Sequence, residues 1–119
     1  MKPTFICYAK CSTCQKARKW LDEQHIEYAE RPIKEQKPSA EELRFWQKMS
    51  GLPLRKFFNT SGTLYREMGL KDRLPGMTEE EMLALLSSDG MLVKRPLLIT
   101  EDNALPGFRP DAWEKALKK

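Results

Sequence analysis

The chain has 119 residues, enough for one folded domain whose core needs no disulfide or metal to hold it. Its 21 Lys and Arg against 17 Asp and Glu give a formal charge of +4, with the acids interspersed. That surplus is too mild to argue for direct nucleic-acid binding, and it favours a small anionic ligand or an acidic protein partner. No apolar run approaches the ~20 residues of a membrane span. Three cysteines without an export or transit pattern predict a reducing cytoplasm rather than a secreted disulfide scaffold.

The first apolar run, residues 5–8, reads as a buried strand, and residues 12–24 follow it with the helical spacing of Ala17, Trp20 and Leu21. Between them lies Lys10-Cys11-Ser12-Thr13-Cys14-Gln15-Lys16, a Cys-x-x-Cys at a strand-to-helix turn. Cys11 falls near the helix start, where unpaired N–H groups and the positive end of the dipole stabilise a thiolate, and Lys10, Lys16, Arg18 and Lys19 add cationic charge nearby. Cys11 is the candidate nucleophile. Cys14, about one helical turn on, is the candidate resolving thiol, able to release a mixed disulfide or close a reversible Cys11–Cys14 disulfide. Two other readings weigh less. Both cysteines can serve as small buried hydrophobes. A zinc cluster of Cys7, Cys11, Cys14 and His25 is disfavoured, because His25 lies eleven positions past Cys14, roughly 16 Å along the helix; no metal site is expected.

Residues 26–30 alternate apolar and polar, which suits a strand ending at Arg31-Pro32, parallel to the first and joined to it by the cysteine-bearing helix. A βαβ unit with Cys-x-x-Cys at its first turn predicts a thioredoxin-like redox fold. Residues 33–90 lack strand patterning and read as a helical insertion. One helix starts at the capping box Ser39 to Glu42, turns Leu43, Trp46 and Met49 inward and stops at Gly51. Another starts at the capping box Thr78 to Glu81, turns Met82, Leu85 and Leu86 inward and stops at Gly90. Between these come a helical turn over 54–58, the turn cluster Asn59-Thr60-Ser61-Gly62, and a short helix over 64–68 ended by Gly69. The apolar stripes of this insertion are read as core rather than as a ligand box. Strand character returns over 94–100, with Pro96 at its first residue and an Arg95–Pro96 bond open to the cis form. A hairpin turn at 101–103, an edge strand at 104–106 and a last helix from Pro110 to Leu117 complete the chain. No repeat, low-complexity tract or linker interrupts it.

Taken in order, Cys11, the Arg95-Pro96 pair and the run Gly107-Phe108-Arg109-Pro110 make the chain resemble the ArsC family over essentially its full length. That family comprises glutaredoxin-linked arsenate reductases and Spx-type regulators. The resemblance implies an α/β fold: a small mixed thioredoxin-like (glutaredoxin-like) sheet flanked by helices, with the helical insertion at about 33–90 of a single domain, 1–119. It also implies that Cys11 is the catalytic cysteine, that Cys14 matches the second cysteine of Spx-like members, and that Arg95 and Arg109 belong to an anion-binding set. The third arginine of the reductases would align with Asn59, and the histidine some members carry four residues before the nucleophile is Cys7 here. An asparagine supplies an amide in place of a charged bidentate donor.

Two functions follow from the resemblance. One is a thiol-disulfide oxidoreductase or oxyanion reductase with no bound cofactor, reduced by glutathione, glutaredoxin or thioredoxin. The other is a redox-sensing regulator that docks on the RNA polymerase α subunit. A monomer is expected in either case.

Overall fold

The computed structural model of the chain describes residues 2–117. At its centre β1 (Thr4–Cys7) pairs on one side with β2 (Ala29–Pro32), parallel and with Ile6 opposite Arg31, and on the other with β3 (Leu97–Ile99), antiparallel and with Phe5 opposite Leu98. An outer strand β4 (Ala104–Pro106) runs antiparallel to β3, giving the order β2-β1-β3-β4. Successive side chains of a strand point to opposite faces, and both central strands are buried and apolar from Phe5 to Cys7 and from Leu97 to Ile99, so the sheet must be covered on both sides. On one side Phe5, Cys7 and Leu98 meet Cys14, Ala17 and Leu21 of α1 (Ser12–Glu23) and Trp113 of α6 (Pro110–Leu117). On the other, Ile6 and Leu97 meet Leu43 and Trp46 of α2 (Ala40–Ser50) and Leu83 and Leu86 of α5 (Glu79–Ser88). This is the expected thioredoxin-like mixed sheet flanked by helices, with a segment between β2 and β3 whose regular elements, apart from one isolated β-bridge, are helical.

Both capping boxes form: the Ser39 and Thr78 hydroxyls accept from the backbone N–H groups of Glu42 and Glu81, whose carboxylates accept in return. Gly51 ends α2 with φ +72°, a left-handed conformation only glycine adopts freely. The short helix forms as α3 (Thr63–Glu67), followed after Gly69 by a four-residue helix, α4 (Leu70–Arg73), that has no signature in the sequence. The Arg95–Pro96 bond is cis.

Several boundaries differ from expectation. β2 begins at Ala29 rather than at residue 26, because the N–H of Ile26 closes the end of α1 on Leu21 while Ile26 and Tyr28 pack beside the sheet before the ladder starts. β3 starts at Leu97, after Pro96, which has no N–H to give the ladder. In α5 the fully inward residues are Leu83 and Leu86, with Met82 and Leu85 only half-buried. Gly90 is not a helix terminator: Asp89 caps a new 3-10 turn over Gly90–Leu92, and a Cβ on Gly90 would lie 2.2 Å from the carbonyl oxygen of Ile33. That glycine is required by close packing of two backbones. Among the described residues no helix is long and apolar enough to cross a membrane.

Candidate active site

Cys11 is the N-cap of α1, with extended backbone angles (φ −89°, ψ 123°). Its N–H donates to the Tyr8 carbonyl and its own carbonyl accepts from Gln15, so the turn is fixed on both sides while the side chain makes no cap hydrogen bond and remains half-buried. Burial pushes the Cys11 thiol up. The backbone N–H of Cys14, the Cys14 thiol, the backbone N–H of Thr13 and the Arg95 guanidinium together outweigh that effect and hold Cys11 below the ordinary cysteine range. Cys14 behaves oppositely. It is fully buried, its sulfur accepts from the Tyr8 N–H at 3.3 Å, and burial beside Cys11 pushes it up to about 12. Cys7 is also raised, first by burial and then by Glu30, with Arg18 acting against both; the Arg18 guanidinium donates to its sulfur at 3.4 Å. All three cysteines are free thiols. Among the described residues no three His, Cys, Asp or Glu side chains form a group able to hold a metal ion.

Cys11 opens onto a cleft of about 590 Å³ that also takes in Asn59, Arg95 and Arg109. Three separate local structures bring these residues together. Asn59 donates its N–H to Leu92, while Phe57 accepts from Lys94 and Phe58 bridges Val93, so the 57–59 segment is stitched beside the turn that holds Arg95. The Asn59 side chain lies against Gly62, where a Cβ would come within 2.6 Å of its amide nitrogen, and Ser61 donates to its oxygen. Arg95 stacks over the Tyr8 ring, 5.1 Å from its centroid, and donates to the Met91 carbonyl, while its buried Nε has no hydrogen-bond partner among the described residues. Arg109 precedes α6. The loop before it is held by Trp113, whose indole N–H donates to the Gly107 carbonyl and whose ring meets Phe108 edge-on at 5.0 Å.

Two cleft cations were not singled out from the sequence, Lys56 and Lys94. Lys94 carried a signal, since it adjoins Arg95 in the strand run; Lys56 is an exposed residue of the 3-10 turn Leu54–Phe57 and reads as an ordinary solvated lysine. Arg66, the other cation near the Asn59 turn, does not line the cleft. The site thus offers a thiol with lowered pKa at a helix start, ringed by two arginines and two lysines with no acid among the lining residues. Such a setting attracts a negatively charged ligand to the sulfur.

A thioredoxin-like sheet with a free, activated cysteine at its first strand-to-helix turn and a cis-proline turn facing it defines a thioredoxin-fold thiol protein. The ArsC family model matches residues 7–116, and the chain belongs to the ArsC family. Over 115 residues it is 52% identical to YusI of Bacillus subtilis, an uncharacterized protein, covering 97% of this chain and 98% of that one. The crystal structure of a possible arsenate reductase from Streptococcus mutans superposes with a TM-score of 0.85 at 45% identity, covering 94% of this chain and 97% of the other. The global transcriptional regulator Spx of Enterococcus faecalis is 28% identical over 98% of this chain and 86% of its own length. The relatives therefore include both arsenate reductase-like proteins and Spx-like regulators.

Proposed function

We propose that the chain is a thiol-dependent oxidoreductase that reduces a small anionic substrate, an oxyanion or a disulfide such as that of glutathione, in a reducing compartment such as the cytoplasm. The observation that supports this most is the placement of the lowered-pKa Cys11 in one cleft with Arg95, Arg109, Lys56 and Lys94. With a disulfide, the Cys11 thiolate attacks one sulfur, a Cys11 mixed disulfide forms, and the other sulfur leaves as a thiolate whose charge the cleft cations balance. The mixed disulfide is then released in one of two ways. Cys14 attacks Cys11, loses its proton and leaves a Cys11–Cys14 disulfide, or an external thiol attacks instead. Either way two electrons come from glutathione, glutaredoxin or thioredoxin. Burial, the largest cause that holds the Cys14 thiol protonated, persists in the mixed disulfide, so attack by an external thiol is the faster route until Cys14 becomes exposed. No bound cofactor is needed.

The test is turnover of glutathione disulfide and of arsenate with a glutathione-coupled readout, for wild type and Cys11→Ser. Turnover lost in the variant is the expected result. Equal rates in both proteins, or none with either substrate, would overturn the proposal.

Similarity to Spx along 98% of the chain supports a second reading. In it, a Cys11–Cys14 disulfide alters a surface that docks on the RNA polymerase α subunit, without direct contact to nucleic acid. Co-purification with that subunit in reduced but not oxidised form, or the reverse, is the corresponding test.

A further inference from the structure

Next to the Cys11 cleft lies a second concavity of about 450 Å³. Its floor is apolar and comes from several elements: Tyr65 of α3, Leu74 and Pro75 of the 3-10 turn Leu74–Gly76, Met77, and Met82 of α5. Its rim carries Arg55, Lys56 and Lys71, all exposed, and no lining residue is acidic. Among the described residues, the ion pairs are Arg18–Glu30, Arg31–Glu42 and Arg44–Glu80, so none of these three cations is held in an ion pair by the protein's own acids. Lys56 lines both concavities, so the groove adjoins the cleft that holds Cys11.

We propose that this groove seats an acidic polypeptide segment carrying an apolar side chain. Three unpaired cations complement a run of Asp and Glu, and an apolar floor between them takes one anchoring side chain. Met77 and Met82 are unbranched and adapt to anchors of different shape, a property suited to more than one partner. A concave floor enclosed by cations on a rim fits an inserted chain better than the flat headgroup plane of a lipid surface. The segment extends past Lys56 toward Cys11 and delivers a disulfide there. This last step rests on the oxidoreductase reading, whereas docking itself does not. In that step the Cys11 thiolate attacks the sulfur attached to the segment. A Cys11–segment disulfide forms and the other sulfur departs as a thiolate, with no further reductant consumed.

Two peptides separate docking from chemistry. The first is a fluorescein-labelled, cysteine-free peptide rich in Glu and Asp around a single Leu-Phe pair, read by fluorescence anisotropy. The second is the same peptide extended by an N-terminal cysteine carrying a thionitrobenzoate disulfide, whose release is read by absorbance. Wild type is expected to bind the first peptide, with the Kd raised about tenfold or more in the double variant Arg55→Glu/Lys71→Glu, and also when Gly replaces the Leu-Phe pair. Thionitrobenzoate release should slow by a similar factor in the double variant. Reaction of Cys11 with the neutral dithiodipyridine should stay unchanged, since neither residue lines the Cys11 cleft. Both substitutions are at exposed positions, and Arg55→Gln/Lys71→Gln gives a milder second variant, with thermal melting as the check on folding. The groove proposal is overturned if wild type fails to bind, if both double variants bind as well as wild type, or if Gly in place of Leu-Phe costs nothing. It is equally overturned if the same cations are needed instead for phosphatidylserine vesicles or for self-association seen by sedimentation. Peptide binding with no dithiodipyridine reaction at Cys11 would leave the groove standing and remove the oxidoreductase reading alone.

Discussion

Replacing Cys14 by alanine separates two jobs that the Cys-x-x-Cys pair combines, redox partnership and stabilisation of the Cys11 thiolate. The Cys14 S–H donates to the Cys11 sulfur and is one of four groups that offset the burial of that thiol. A hydrogen bond to a charged acceptor contributes about 1.5 to 3 kcal/mol, so Cys14→Ala should raise the Cys11 pKa and cut its thiolate fraction at neutral pH by roughly ten- to a hundredfold. The backbone N–H groups of Thr13 and Cys14 and the Arg95 guanidinium remain, which is why the shift stays bounded. The more basic thiolate is intrinsically more nucleophilic and recovers about half of the loss. The iodoacetamide rate below both pKa values should therefore fall by roughly three- to fifteenfold. Cys14→Ser keeps a hydroxyl donor at the same place. It should leave the pKa low while abolishing the disulfide as completely as alanine does.

The assay is the pH profile of single-site alkylation at Cys11, located by mass spectrometry, in the wild type and both variants. Cys7 and Cys14 contribute little background, because both thiols are buried and raised. At neutral pH a thiol of pKa about 12 is only ~10⁻⁵ ionised. Deleting a buried sulfur also costs about 1 kcal/mol of stability, a change in melting that is read separately from the pH midpoint. An unchanged midpoint in Cys14→Ala, or a serine variant shifted as far as the alanine one, would refute the donor role of Cys14.

Three other outcomes follow from the same geometry. Sulfate or phosphate should slow Cys11 alkylation relative to chloride at equal ionic strength; Arg95→Ala or Arg109→Ala should remove that protection and lower any oxyanion turnover by about ten- to a thousandfold, and identical alkylation rates throughout would eliminate the anion pocket. Diamide should close a Cys11–Cys14 disulfide with little change in helix content, since sulfurs one turn apart need only small rotamer changes; a bond to Cys7, seen by peptide mapping, would contradict this. Glu42 is held down to about 2 by hydrogen bonds from Arg31, below its unfolded value of 4.5, so the pair contributes stability above pH 4.5 that fades as pH falls toward 2. With that carboxylate 38% exposed, the contribution is about 1 kcal/mol after solvent screening. Glu42→Gln, which keeps an acceptor for the Ser39 N–H, should be less stable than wild type to urea at neutral pH and equal to it near pH 2.

How much of this was legible in the sequence depended on the range of the interaction that fixes each feature. The helices capped at Ser39 and Thr78, the stop at Gly51 and the strand-to-helix turn at Cys11 are set by residues within four positions of one another, and each forms as read. The stripe of α1 was read as Ala17, Trp20 and Leu21; the residues that face the sheet are Cys14, Ala17 and Leu21, with Trp20 half-buried, because the cysteine one turn earlier fills the apolar face that the spacing alone assigned to the tryptophan. The start of β2 was not legible, because Ile26 and Tyr28 are sheltered by packing beside the sheet without joining its ladder, and alternation cannot tell those two kinds of burial apart. Gly90 misled for a similar reason. A glycine after a helical stripe suggests a terminator, but here the contact that forbids a side chain comes from Ile33, far away in the chain. The cleft is longer-ranged still. Cys11, Asn59, Arg95 and Arg109 meet only because β1 and β3 are neighbours and the 57–59 segment is tied to 92–94. No local pattern shows that convergence; the family resemblance did.

The lysine beside Arg95 is where the structure adds most to the anion site, and it yields a prediction of its own. Gly107 adopts φ +82°, and a Cβ there would stand 3.0 Å from Cε of Lys94. The glycine therefore both permits the turn and leaves room for the Lys94 stem to cross it into the cleft. The Lys94 N–H is anchored at 2.7 Å to Phe57, two residues before Asn59, so the ammonium serves the same cleft that Asn59 lines without a charge. A lysine is a compact point charge and lacks the planar fork of an arginine, so it attracts an anion without fixing its orientation. Lys94→Gln should accordingly weaken sulfate protection of Cys11 by roughly five- to tenfold, about 1 kcal/mol, and flatten its salt dependence. The Cys11 pKa should stay where it is, because Lys94 is not among the groups that hold it down. Gly107→Ala should weaken anion binding in the same way, at an added cost in stability from the strained φ. Asn59→Arg in the Lys94→Gln background should restore binding, since it returns a cation to the same cleft. If Lys94→Gln instead moved the Cys11 pKa and left sulfate protection intact, Lys94 would belong to the thiolate's own environment and the anion would be held by the arginines alone.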